Sequence, residues 1–187
     1  MEIKEYFKEP RINLTGIVDE KMIEDLDRQI KNPEISLNKQ VVLTLTTMGG
    51  SMGYARAIYS ELGLLQNYVD LTFVARGICM SAGVTIAMAI PHERRLATPD
   101  TKFLIHEGFM PTDPDLHGSF SVREIQMDAL ERSYADDKFE EEWSMKLISK
   151  GCKQPIGEVR KQAKSGIYIV GQKAVEFGLV NSLVGKK

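Results

Sequence analysis

The chain has 187 residues, 43% of them hydrophobic and 27% charged, which is enough for one domain with a sizeable core and short for two. A formal charge of −2 offers no general basic surplus for gripping phosphates and argues against nucleic acid as the main partner. Two cysteines without metal-ligand spacing, an opening MEIKEYFKEP with no apolar core, and no run near the ~18 apolar residues of a membrane span together predict a soluble, cytoplasmic protein.

In chain order, RINLTG (11–16) reads as a short strand closed by glycine. DEKMIEDLDRQI (19–30) sets Met22, Ile23, Leu26 and Ile30 at helical spacing, with acids in the first turn where the helix dipole favours them. QVVLTLTT (40–47) is rich in β-branched residues and reads as a strand covered on both faces. Gly49 and Gly50 then open a helix over 51–66. VDLTFVA (69–75) reads as a strand and GVTIAMAI (83–90) as a buried helix. RRLATP and TKFLIHE form two short strands around a Pro-Asp turn. GFMPTDPDLHGSF (108–120), with two prolines and two glycines, is a long loop.

A long helix is predicted over 121–151, with Ser121 and Glu124 as a capping box and Gly151 as its stop. Its apolar residues, among them Ile125, Leu130, Tyr134, Phe139 and Trp143, do not settle into one stripe, which predicts contacts on more than one side. The tail over 165–184 reads strand, short helix, strand. Repeated strand–helix alternation predicts a single α/β domain with a mainly parallel sheet and right-handed crossovers.

Three stretches end strands beside glycine or a residue type able to catalyse, and parallel α/β folds gather their functional groups at the carboxyl ends of strands. Ser81, in GICMSAG (77–83), is either a cap of the apolar helix behind it or a nucleophile at that helix's positive end. The elbow G-x-S-x-G is half matched, because Cys79 stands where its first glycine belongs. His106 closes the strand KFLI and is either a surface histidine or the base that a serine nucleophile needs within about 3 Å. His92, in a charged turn, and His117, in the loop, are poorer candidates. Gly49 and Gly50 either make a turn or present a backbone N–H to a developing oxyanion, a donor worth about 3–4 kcal/mol of barrier. Phosphate binding is disfavoured, since there is neither a G-K-[ST] nor a third glycine in dinucleotide spacing.

Taken in this order, TMGGSMGYARAIYSEL, GICMSAGVTIAMA and FLIHEG resemble the proteolytic subunit of the Clp protease. RINLTGIVDE and KAVEFGLVNSLV are similar to that family's first strand region and closing segment, so the resemblance covers nearly the whole chain after Arg11. It implies an α/β, crotonase-like (ClpP-type) spiral of β-β-α units with a long handle helix, one domain over 1–187. It implies a serine endopeptidase with Ser81 as nucleophile, His106 as general base and the N–H groups of Gly50 and Ala82 as oxyanion hole, with no cofactor or metal. Further implied are stacked seven-membered rings around a chamber, interlocked by the helix from Ser121. Unfolded polypeptides would be the substrates, bound as an added strand beside the loop from Gly108, and an AAA+ unfoldase the partner.

One position departs from the pattern. The family's third catalytic residue is an aspartate, and ungapped alignment puts Gly166 there; no aspartate follows Asp137. In serine proteases even exchange of that acid for its amide costs about 10⁴ in turnover. The expectation is therefore a weakened peptidase, relying on Glu158, on Glu107 or on co-assembly, with a silent ring subunit that modulates an active paralogue as the alternative. A lysine base at Lys161 or Lys164, a prohead-type protease and an acyl-CoA enzyme rank behind these readings.

Overall fold

A computed structural model describes residues 10–108 and 119–185. Seven strands form one sheet among them: β1 (Arg11–Thr15), β2 (Gln40–Thr47), β3 (Asp70–Met80), β4 (Arg95–Ala97), β5 (Lys102–Leu104), β6 (Ile169–Val170) and β7 (Ser182–Leu183). The spine β1-β2-β3-β4-β7 is parallel throughout, while β5 branches from β3 in parallel and carries β6 antiparallel on its outer edge. The helices are α1 (Glu20–Ile30), α2 (Pro33–Leu37), α3 (Met52–Leu65), α4 (Ala82–Ala87), α5 (Phe120–Cys152), α6 (Ile156–Ser165) and α7 (Gln172–Phe177).

Local chemistry accounts for most of these elements. Asp19 caps α1 by accepting the Met22 N–H at 3.1 Å, and Met22 and Leu26 are buried one turn apart on its inner face. In α3 the buried residues Ala55, Ile58 and Leu62 recur at helical spacing. β2 is covered on both sides, as its β-branched run predicts, and all six residues of α4 are buried. Leu43, Leu45, Leu71 and Phe73 form the centre of the core, where each such side chain contributes about 1.5–3 kcal/mol by leaving water.

β3 positions the site. Its first half, Phe73–Ala75, pairs with Arg95–Ala97 of β4; its second half, Ile78–Met80, pairs with Lys102–Leu104 of β5. Between the two, Gly77 takes φ +66°, and on the other edge the register with β2 shifts between Leu45 and Thr47. The pattern in the sequence ends this strand at Ala75; the extra residues lead the chain to Ser81. β4 and β5 are both present around their Pro-Asp turn, yet they pair in succession with β3 rather than with each other.

α5 differs from expectation at both ends. Ser119 is its N-cap, without a side-chain cap bond, so the Ser121–Glu124 box does not form. Gly151 does not stop the helix, which runs on to Cys152 and ends at Lys153 in the left-handed region, φ +55°. Gly151 instead permits close packing, since a Cβ there would stand 2.5 Å from Met88 Sδ. Arg95, buried beneath it, donates to the Gly151 carbonyl, a cation at a helix C-terminus. The inner half of α5 packs through Met145 and Ile148, while on its outer half Ile125 is 69% and Phe139 59% exposed. No helix among the described residues is long and apolar enough to cross a membrane.

Candidate active site

The three stretches singled out in the sequence converge because β2, β3 and β5 are adjacent parallel strands whose carboxyl ends meet. Thr47 pairs with Cys79 and Met80 with Leu104, so the twin-glycine bend, Ser81 and His106 all emerge at one edge. Ser81, Gly50 and His106 line a single cavity of about 720 Å³, the size range of small-ligand and peptide sites.

Ser81 has φ 53° and ψ −124°, a region that non-glycine residues seldom occupy and that costs on the order of 1–3 kcal/mol. Its neighbours on both sides impose the strain. The Ser81 N–H donates to the Leu104 carbonyl at 2.8 Å, and the Ser81 carbonyl accepts from Val84 N–H at 2.9 Å. The side chain makes no cap bond, so the capping alternative fails, and Ser81 lines the cavity. Gly49 is pressed against it: a Cβ there would lie 2.6 Å from Ser81 Cβ.

The two backbone donors expected to form an oxyanion hole are unspent. The bridge between Val18 and Gly50 uses the Gly49 carbonyl and the Ser51 N–H, each at 2.9 Å, which leaves Gly50's own N–H outside the ladder. Neither that N–H nor the Ala82 N–H, the first of α4, has a hydrogen-bond partner among the described residues. Ala82 follows Ser81 directly, and Gly50 follows Gly49, whose Cβ would meet Ser81.

His106 is half-buried, and its Nδ1 lies 2.6 Å from the Glu107 carbonyl oxygen. A carbonyl only accepts, so Nδ1 carries the proton of this bond, and in the neutral ring that leaves Nε2 as the nitrogen with the lone pair. Among the described residues no hydrogen bond joins His106 to Ser81; both line the same cavity. Glu107, considered above for its carboxylate, serves the imidazole with its main chain instead. Glu158 pairs with Lys161 at 3.8 Å on an exposed face of α6 and does not line the cavity.

Gly166 ends α6 with φ +60°, and no atom lies within 4 Å of the place its Cβ would take. β5 and β6 pair Lys102 with Val170 and Phe103 with Ile169. The pairing stops there: Gly166 lies three residues before β6, and His106 two residues after β5.

The far wall of the cavity is an acidic stretch of α5, with Asp137, Glu140 and Glu141. Sequence reasoning did not single these out. Arg56 pairs with Glu140 at 3.0 Å while its guanidinium covers the Trp143 and Phe139 rings at 4.6 and 4.8 Å, which binds α3 to α5. The two cysteines take no part: burial pushes the Cys152 thiol up to about 11 against the pull of Arg95, and pushes Cys79 well above its usual value.

Comparison with known proteins places this arrangement. The family model described as Clp protease matches residues 2–187. The chain belongs to the Clp protease family. Curated Clp relatives share about a fifth of their residues with it. The ATP-dependent Clp protease proteolytic subunit 3 of Rhizobium etli is 21% identical over 178 residues, covering 95% of this chain and 85% of the relative. Proteolytic subunit 1 of Chlamydia pneumoniae is 22% identical over 182 residues, covering 97% and 90%. Among solved structures, a mutant of ClpP1 from Listeria monocytogenes superposes with a TM-score of 0.74 at 20% identity, covering 95% of this chain and 92% of that one. These likenesses establish the ClpP-type α/β fold, and the Clp family is one of peptidases.

Proposed function

We propose that this chain is a serine endopeptidase of the ClpP type, with a turnover reduced by the absence of an acid at Gly166. One observation supports the reading: a strained serine lines the same cavity as His106 and as Gly50, whose backbone N–H has no partner among the described residues. In the proposed reaction Ser81 Oγ attacks the scissile carbonyl as its proton passes to His106 Nε2. The tetrahedral oxyanion is held by the N–H groups of Gly50 and Ala82, donors that need no reorganisation when charge develops. The imidazolium then gives its proton to the leaving amine, and water, deprotonated by the same nitrogen, hydrolyses the acyl-enzyme.

By family kinship, the substrates are unfolded polypeptides delivered by an ATP-driven AAA+ unfoldase. The chain would work in stacked seven-membered rings, as homo-oligomer or together with a paralogue. The apolar residues that α5 leaves uncovered on its outer half support a role for that helix in contacts between copies. The loop expected beside substrate lies, over 109–118, outside the described residues.

Gly166 favours a second reading, a silent subunit that lends its surface to an active paralogue. A fluorophosphonate probe followed by intact-mass measurement separates the two. A single adduct, lost in Ser81→Ala, supports the peptidase; an unmodified mass on folded, assembled protein rejects it in favour of the silent subunit.

A further inference from the structure

Among the described residues no aspartate bonds to His106, yet a carboxylate reaches the same peptide group from the other side. His106 Nδ1 bonds to the carbonyl of Glu107, and the N–H of Gly108 donates to Glu141 Oε2 at 3.0 Å. That carbonyl and that N–H are the two ends of one planar, conjugated peptide unit. We propose that Glu141 is a positioning residue for His106, acting through the 107–108 peptide in place of the missing acid. The proposal rests on the reading of Ser81 and His106 as the reacting pair.

The physical argument has three parts. A carboxylate that accepts from a peptide N–H makes a charge-assisted bond, roughly twice as strong as a neutral one. It also polarises the conjugated unit, so the carbonyl at the far end becomes a better acceptor, by about 10–30% per bond in cooperative chains. That acceptor holds the Nδ1–H tautomer and turns Nε2 outward. When the imidazole takes the serine's proton, the new positive charge faces an oriented dipole with an anion behind it.

The neighbourhood singles out Glu141 for this task. Its sequence neighbours are committed elsewhere, Glu140 to Arg56 and Glu142 to Arg160. Glu141 forms no ion pair among the described residues; Lys138, one turn earlier and also lining the cavity, is the cation placed to compete. Gly108 accommodates the contact, since a Cβ there would lie 3.3 Å from Glu141 Oε2. The helix beneath is anchored by buried Met145 and Ile148, so the carboxylate is presented from a rigid support.

The test compares the full-length parent, Glu141→Ala and Glu141→Gln. Hydrolysis of a small fluorogenic peptide is followed together with ¹⁵N spectra of histidine-labelled protein, His106 being assigned by difference with His106→Gln. Glu141→Ala is expected to lower kcat about tenfold with KM within about twofold, one decade in rate being about 1.4 kcal/mol. In its spectrum the Nδ1–H signature of His106 gives way to a tautomer mixture. Glu141→Gln keeps an acceptor oxygen without the charge and recovers part of both. An unchanged tautomer in folded Glu141→Ala overturns the proposal, as does a loss carried by KM alone. If the parent neither hydrolyses peptide nor labels at Ser81, the peptidase reading fails, and the tautomer comparison still decides whether Glu141 sets the histidine.

Discussion

Gly166→Asp puts the missing charge back. Gly166 stands three residues before β6, whose partner β5 ends two residues before His106, and a Cβ built there meets nothing within 4 Å. The backbone cost is that of leaving glycine at φ +60°, about 1 kcal/mol, since Asp enters the left-handed region more readily than most residues. That corresponds to a melting point lower by about 2–4 °C for a chain of this size. The gain is smaller than the full ~10⁴ of a catalytic aspartate, because the Glu107 carbonyl already orients the ring. What remains is the charge: a new carboxylate that comes within about 5 Å of the imidazolium, at an effective dielectric of about 20, would be worth about 3 kcal/mol, or roughly 10²-fold in rate. Steady-state hydrolysis of a fluorogenic peptide is the assay, with kcat expected to rise and KM to stay. A variant that folds and assembles like the parent but gains less than about threefold refutes the missing-acid account.

Gly49→Ala forces a methyl to within 2.6 Å of Ser81 Cβ at φ +108°; we expect at least about 1–2 kcal/mol of destabilisation and loss of fluorophosphonate labelling, and normal labelling would contradict the packing. His92 is held below the usual imidazole range, first by burial and then by Arg95. The unfolded chain therefore takes up this proton first as pH falls, and stability drops as pH goes below about 6.5, the unfolded value, until the folded form is protonated too. His92→Gln should flatten the melting-temperature decline between about pH 7.5 and pH 5.5; an unchanged slope rejects the assignment. Cys79 and Cys152 are both buried with raised thiols, so iodoacetamide should leave the native protein unmodified and label both residues in denaturant. Modification of either thiol in the native state would show an opening that this packing does not contain.

Elements with a strong local period could be read from the residues alone. The apolar spacing of α1, the β-branched run of β2 and the all-round apolar α4 each say what they become. The last five residues of β3, RGICM, could not, because Arg76 and Gly77 break the alternation and the partner that holds them, β5, comes from further along the chain. α6 buries only Val159 and Ala163, too few to stand out as a stripe. At the site, Ser81, His106 and Gly50 stood out because each closes a strand or follows one beside glycine, and the fold brings these three to one cavity. Glu141 gave no such signal. In the run EEEW it looks like any solvated helix face, and only packing separates the acid that meets Gly108 from the two that meet arginines.

The way β3 divides its loyalties has a thermal consequence. Its front half is clamped between two neighbours in the densest part of the molecule, but the amide of Ser81 hangs on Leu104, in a strand of three residues edged by one of two. Warming should therefore loosen the serine corner well before the central slab gives way. Deuterium would enter at Ser81 and along β5 while β1 and β2 still resist exchange, and an enzyme built like this would fall silent reversibly, at a temperature where its ellipticity has scarcely changed.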